Sequence, residues 1–79
     1  MTAAMWEISV CANGAKFWLE DGPRYVACTC SADVMRKVEA HTGLTGSAAL
    51  RAAQNELIQE AHQRLVDLEP PPLRLQYHD

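Results

Sequence analysis

Residues 5–20 read MWEISVCANGAKFWLE, and this stretch decides the fold. Apolar and polar residues alternate on both sides of Asn13-Gly14, from Met5 to Cys11 and from Ala15 to Glu20. Alternation with a period of two is typical of a β-strand with one buried face. Asn-Gly between two such runs favours a type I′ turn, because both central residues of that turn need positive φ. The stretch therefore predicts an antiparallel hairpin whose two-residue loop is Asn13-Gly14.

The predicted hairpin sorts its side chains between the two faces of a sheet. A loop at Asn13-Gly14 pairs Val10 with Phe17 and Ser9 with Trp18, so apolar residues meet across the strands. The residues expected on the buried face are Trp6, Ile8, Val10, Ala15, Phe17 and Leu19. The same register brings Glu7 opposite Glu20, an unfavourable pair of like charges.

A second turn signal lies at Asp21-Gly22, directly before Pro23. With Asp21-Gly22 as the loop, Trp18 pairs with Tyr25, and the buried face continues through Val26 and Cys28. Two independent turns thus predict one consistent apolar face, and they leave Trp18 and Tyr25 side by side on the other face.

Two helices are predicted after the third strand. Ser31 suits the N-cap of a helix from Ala32 to about Thr42, and Gly43 stands at its C′ position. Ser47 suits the N-cap of a longer helix that ends before the proline run at residues 70–72. The apolar stripe of the first helix comprises Val34, Met35, Val38 and His41. The stripe of the second comprises Leu50, Ala53, Leu57, Ala61, Leu65 and Leu68, widened by Ile58.

A last strand is predicted near the end of the chain, because Leu73, Leu75 and Tyr77 alternate with polar residues. The element order is then β-β-β-α-α-β. This order predicts an α+β fold with an antiparallel sheet, made of a three-stranded meander plus the C-terminal strand, and two helices packed on one face. We expect the last strand to run antiparallel to the first and third strands, and it can pair at either outer edge.

Length and composition limit the class of protein. A chain of 79 residues forms a single domain, residues 1–79, of which we expect 1–4 to be frayed. The hydrophobic share of 48% argues against disorder, and a net charge of −3 argues against strong binding to nucleic acid. No apolar run approaches the length of a membrane span, and no signal peptide is visible. With three cysteines and no disulfide framework, the sequence predicts a cytoplasmic protein without membrane association.

Residues that could carry chemistry are scattered. Cys28 and Cys30 share one face of a strand, but a Cys-x-x-Cys spacing is missing and no basic residue flanks them. His41, His62 and His78 match no catalytic or metal-binding pattern. We therefore expect no enzymatic activity, no cofactor and no small-molecule substrate. The pair of cysteines leaves one alternative interpretation, that the chain is a small metal or redox protein.

A helix pair joined by a glycine turn also allows a second alternative, a small DNA-linked transcriptional regulator. In that interpretation Arg36, Lys37 and Arg51 would contact phosphates. The helix that would read the bases is rich in alanine and glutamate, and the acidic net charge disfavours a nucleic-acid partner.

Trp18 and Tyr25 are the leading candidates for a contact site. The predicted register places them on the face away from the helices, together with Ser9, Lys16 and Glu20. Exposed aromatic residues on an otherwise polar sheet often mark a contact patch. We expect this face, or a free strand edge, to bind a protein partner or a second copy in a dimer.

Several positions between Ala15 and Tyr77 also match a known family. They are Phe17, Gly22, Val26 and Cys28 leading to Ser31, Leu57-Ile58 with Ala61, and the closing strand from Leu73 to Tyr77. In these residues the chain resembles a family of small uncharacterised bacterial proteins, domain of unknown function 1488. The resemblance implies a compact sheet with helices on one side, and it implies no known chemistry.

The leading hypothesis is a non-enzymatic protein-interaction module. One concrete form is a small regulator or inhibitor of bacterial or phage origin that binds a host complex. Such an inhibitor would be similar in size to anti-CRISPR proteins.

Overall fold

A computed structural model of the protein describes residues 5–77. Its elements are β1 (Met5–Cys11), β2 (Gly14–Asp21), β3 (Arg24–Ser31), α1 (Ala32–Thr42), α2 (Gly46–Ala52), α3 (Gln54–Val66) and β4 (Leu73–Leu75). The α+β class and the initial β-β-β-α order are confirmed. Residues 1–4, which we expected to be frayed, lie outside the described residues.

The first hairpin forms, but its loop is Ala12-Asn13 rather than the predicted Asn13-Gly14. Cys11 lies opposite Gly14 in the strand ladder. Asn13 is not among the residues with positive φ, so it does not take the type I′ conformation. Gly14 has a φ of 131°, and a Cβ built on it would lie 2.0 Å from the carbonyl oxygen of Cys30. Gly14 thus belongs to β2, where its missing side chain allows the close approach of β2 to β3. The loop therefore lies one residue earlier in the chain than predicted.

A bulge at Glu7 divides β1 into two parts with different registers. Ser9 lies opposite Lys16, whereas Trp6 lies opposite Trp18, and Glu7 has a φ of 51°. An extra residue in one strand reverses the faces on which the flanking side chains lie. Trp6, which was predicted to be buried, therefore faces solvent. The predicted pairing of Glu7 with Glu20 is removed by the shifted loop, because the register from Cys11 to Ser9 would bring Glu7 opposite Trp18 even without a bulge.

The second hairpin keeps the predicted faces but not the predicted loop. Gly22 and Pro23 form the loop, and Asp21 lies opposite Arg24. Gly22, with a φ of 63°, occupies the first central position, where type II′ turns carry glycine. The shift moves each strand by one residue, so Tyr25 lies opposite Glu20 rather than Trp18. Side chains predicted to be buried on β2 and β3 are buried: Phe17, Leu19, Val26 and Cys28.

Helix α1 has the predicted bounds. The Ser31 hydroxyl accepts a hydrogen bond from the Val34 amide at 3.2 Å, and Gly43 adopts the left-handed conformation at the other end. Val34, Met35 and Val38 are buried as predicted. His41 is exposed instead, and its ring contacts the ring of Tyr77 edge-on, with 5.6 Å between centroids.

The predicted long helix is broken at Ala53 into α2 and α3. The break lets α2 pack against α1 and β1 while α3 packs against β4. Ser47 does not cap α2, which begins at Gly46, and the Gly46 amide donates instead to the Glu39 carboxylate at 2.9 Å. Leu68 lies beyond the end of α3 with a φ of 61° and is exposed rather than part of the apolar stripe.

Strand β4 lies beside β3 and runs parallel to it, which corrects the predicted antiparallel pairing. Leu73 is opposite Cys28, and Leu75 is opposite Cys30. Parallel neighbours need a long crossover connection, and the three helices provide it. The sheet is therefore mixed, with the order β1-β2-β3-β4.

The core lies between the helices and one face of the sheet. Leu50 and Leu57 from the helices and Leu73 and Leu75 from β4 are completely shielded from solvent there. No buried residue in the described range is polar or charged. The opposite face of the sheet carries none of the described helices, and it is the candidate surface for contacts with other molecules.

Candidate interaction face

We call the uncovered side of the sheet the open face. Residues that lie opposite one another in an antiparallel ladder project from the same face. The pairing of the strands assigns to the open face Trp6, Ser9, Lys16, Trp18, Glu20, Tyr25, Ala27, Thr29 and Arg74. The open face therefore holds every contact residue predicted from the sequence, with Trp6 in addition.

One end of the open face is an aromatic groove, lined by Trp6, Glu7, Trp18 and Tyr25. Its volume is about 430 Å³, and it opens widely to solvent. The exposed fractions of the three aromatic side chains are 48% for Trp6, 42% for Trp18 and 56% for Tyr25. These side chains are large enough to bury substantial apolar area if a partner covers them.

The rings of the aromatic groove do not stack on one another. Within residues 5–77, the ring–ring contact is that of His41 with Tyr77, on the other side of the sheet. About half of each of the groove side chains Trp6, Trp18 and Tyr25 is exposed to solvent and can contact a bound group.

Two carboxylates border the aromatic groove. Glu7 is one of its four lining residues, and Glu20 lies opposite Tyr25 in the ladder. Neither makes an ion pair with any residue in the described range 5–77. The nearby Arg24 is engaged with Asp21, its guanidinium lying 3.0 Å from the carboxylate. This end of the face is aromatic and acidic.

The other end of the open face is polar and basic. A second groove of about 360 Å³ lies there, and Lys16, Thr29 and Arg74 are among its lining residues. The Thr29 hydroxyl donates a hydrogen bond to the Leu73 carbonyl at 3.3 Å, which ties β3 to β4. The positive charges of the open face are thus separated from its aromatic groove.

The structure places Trp18 and Tyr25 near each other, but diagonally rather than directly across the ladder. Ser9 and Lys16 are exposed as well, whereas Glu20 is half-buried. Trp6 was not among the predicted contact residues, because simple alternation along β1 placed it in the core. The predicted clash of Glu7 with Glu20 was the one available signal that the register of this hairpin differs from the simple one.

The cysteines divide into one exposed and two buried thiols. Burial raises the pKa of Cys28 to about 12, with a further contribution from the neighbouring Cys30. Burial alone raises the pKa of Cys30 to about 12. Both thiols are therefore protonated and unreactive at neutral pH. Cys11 is exposed at the end of β1.

No group of three His, Cys, Asp or Glu side chains in residues 5–77 is arranged to hold a metal ion. Of the three histidines, His78 lies outside the described residues. The other two are exposed and belong to different helices, His41 to α1 and His62 to α3.

The basic residues of the DNA-binding alternative lie on the helices and not on the open face. Arg36 and Lys37 are exposed on α1, and Arg51 is exposed in the last turn of α2. The Arg36 guanidinium is paired with the Asp33 carboxylate, which offsets its charge.

Searches of protein-family models, of curated proteins and of solved structures found no match to this chain. The resemblance to domain of unknown function 1488 stays a prediction. Among the helices within residues 5–77, none combines the length and the apolar character needed to span a bilayer.

Proposed function

We propose that this protein is a non-enzymatic interaction module that binds a protein through the aromatic groove of its open face. The observation that carries the proposal is the exposure of Trp6, Trp18 and Tyr25 together on a sheet face without helices. Tryptophan and tyrosine are among the residues most enriched in the side chains that dominate binding energy at protein interfaces. The partner is either a different protein, as for an inhibitor of a host complex, or a second copy of this chain.

The face is a better candidate than the strand edges. The β4 edge has three residues, and the β1 edge is interrupted by the bulge at Glu7. Short and bulged edges are poor templates for the addition of another strand. The aromatic groove instead brings three large, partly exposed aromatic side chains together on one face.

The proposal is tested by removing two of the rings. The variant is Trp18→Ala with Tyr25→Ala, and the matched control is Leu44→Ala with Val66→Ala, which truncates exposed apolar side chains away from the open face. Sedimentation velocity measures self-association of each purified protein. Quantitative affinity capture from the native host measures association with other proteins. Circular dichroism verifies that both variants are folded.

Loss of association in the groove variant, with association retained in the control, would support the proposal. Equal association of a folded groove variant and the unmodified protein would overturn it. A protein that neither self-associates nor captures a partner saturably would also overturn it.

A further inference from the structure

Building on the proposed function, we propose that the aromatic groove receives an arginine side chain of the partner protein. The guanidinium contacts the rings of Trp6, Trp18 and Tyr25, and the Glu7 carboxylate accepts hydrogen bonds from its N–H groups. This assigns a chemical class to the ligand of the groove, namely a planar organic cation carried by a protein.

The lining of the groove is suited to a cation. The face of an aromatic ring is electrostatically negative, and tryptophan gives the strongest cation–π attraction of the aromatic residues. The groove combines two tryptophans and a tyrosine with one carboxylate and no basic side chain. A neutral apolar ligand would gain binding energy from contact with the rings, but it would carry no positive charge to balance the Glu7 carboxylate.

The surrounding charges point to the same class of ligand. Glu7 and Glu20 have no ion-pair partner within residues 5–77, and Arg24 is already paired with Asp21. Lys16 and Arg74 line the separate groove at the other end of the face. An incoming cation therefore meets negative charge and no competing positive side chain from the groove lining.

The shape of the groove favours arginine over other organic cations. A guanidinium is planar, stacks on aromatic faces and directs N–H groups outward in its plane, where a carboxylate can accept two of them. A trimethylated lysine has no N–H to donate to Glu7, and its spherical headgroup is best held by an enclosed cage. The groove is wide open, and Glu7 is the one carboxylate among its lining residues.

The bulge in β1 creates this combination of groups. Glu7 is held at a φ of 51°, a conformation that costs free energy for a residue with a side chain. This backbone turns Trp6 toward Trp18 and sets Glu7 beside both rings. Residues held in unfavourable backbone conformations are concentrated at binding sites, where the surrounding structure maintains them.

The test is a nuclear magnetic resonance titration of the full chain with three capped pentapeptides. Each peptide has two glycines on either side of a central residue, which is arginine, citrulline or trimethyllysine. Citrulline has nearly the shape of arginine and carries no charge. The readout is the pair of indole N–H signals of Trp6 and Trp18, followed to saturation.

We expect the arginine peptide to shift both indole signals saturably and to bind about two- to fivefold more tightly than the citrulline peptide, as loss of a solvent-exposed cation–π contact predicts. Glu7→Gln should weaken arginine binding several-fold and narrow the difference from citrulline. Glu56→Gln, which removes an exposed carboxylate on α3 away from the open face, should leave the affinity unchanged. Dispersed amide signals show that each variant is folded.

Equal binding of the arginine and citrulline peptides would overturn the inference, as would the absence of saturable indole shifts. Tighter binding of the trimethyllysine peptide would overturn it in favour of a methylated lysine. These results are separable from a failure of the proposed function. Association that depends on Trp18 and Tyr25 would still stand if the arginine peptide did not bind.

Discussion

Trp6 lies directly opposite Trp18 across β1 and β2, with both indoles on the open face. The pairing exists because the bulge at Glu7 places an extra residue of β1 against β2. Without the bulge, strict alternation would turn Trp6 into the core and leave one indole on the surface. The backbone at Glu7 therefore controls the composition of the candidate site.

Glu7→Gly should raise the free energy of unfolding by about 1 kcal/mol, because glycine adopts positive φ without the steric cost that glutamate incurs. Urea denaturation of the purified variant measures the change. Ser9→Gly is the matched control on the same exposed strand, where φ is not positive. We expect it to lower stability by about 0.5–1 kcal/mol, as glycine does within strands. A loss of stability in Glu7→Gly would contradict the role assigned to the bulge.

Gly14→Ala should destabilise the protein by more than about 2 kcal/mol. The added Cβ would lie 2.0 Å from the Cys30 carbonyl oxygen, so β2 and β3 must move apart. Gly22→Ala serves as the control, because its φ is also positive but an added methyl group there would meet no atom within 4 Å. Its expected cost is about 1 kcal/mol, from backbone conformation alone. Thermal or urea unfolding that ranks the two variants equally would refute the importance of the close approach.

Leu68→Gly should stabilise the protein by about 1 kcal/mol. Leu68 follows the C-cap of α3 with a φ of 61°, at the position where helices usually carry glycine, and 87% of it is exposed. The amide of Glu69 donates to the Arg64 carbonyl at 3.1 Å, which closes the helix end around it. Leu44→Gly tests the alternative that any exposed leucine behaves in this way. Leu44 lacks positive φ, so its replacement should lower stability.

The free energy of unfolding should fall as pH rises from about 9 toward about 12. The thiols of Cys28 and Cys30 ionise near 9.0 in the unfolded chain, whereas burial raises the pKa of each to about 12 in the fold. The two protonated thiols contribute fully to the free energy of unfolding at any pH below their pKa in the unfolded chain. This contribution is lost as the pH rises toward their pKa in the folded protein, because the unfolded chain releases its two protons first. Between these two pKa values, the free energy of unfolding falls by at most roughly 2.7 kcal/mol per pH unit for two such groups.

Urea denaturation at a series of pH values from neutral to alkaline measures this slope. Cys28→Ala with Cys30→Ala is the comparison, and it should show a flatter profile over the same range. In the folded protein at neutral pH, a thiol reagent should label Cys11 and leave the two buried thiols intact. Rapid labelling of all three cysteines without denaturant would contradict the burial of this pair.

Local sequence signals predicted the features that depend on near neighbours. Ser31 as an N-cap and Gly43 as a C′ residue act within one turn of α1, and both were placed correctly. The alternation of Phe17 and Trp18 between opposite faces was also correct, because it needs only the period of a strand. These features satisfy hydrogen bonds or bury apolar groups without reference to distant parts of the chain.

Non-local contacts decided what the sequence patterns missed. The turn moved because Gly14 is required beside Cys30, a residue of β3. The long apolar stripe gave no sign of the break at Ala53, which comes with α2 packing on β1 and α3 packing on β4. The direction of β4 followed from that crossover rather than from any property of Leu73 or Leu75.

The sequence by itself determined the α+β class, the first hairpins, helix α1 and the separation of Phe17 from Trp18, because periodicity and capping are local. The tertiary structure alone decided that β4 runs parallel to β3, that the long helix is broken, and that Trp6 lies opposite Trp18. The physical reason is that the alternation of apolar and polar side chains does not reveal where a strand contains a single extra residue. Only packing against the neighbouring strands shows which face each side of a bulge presents.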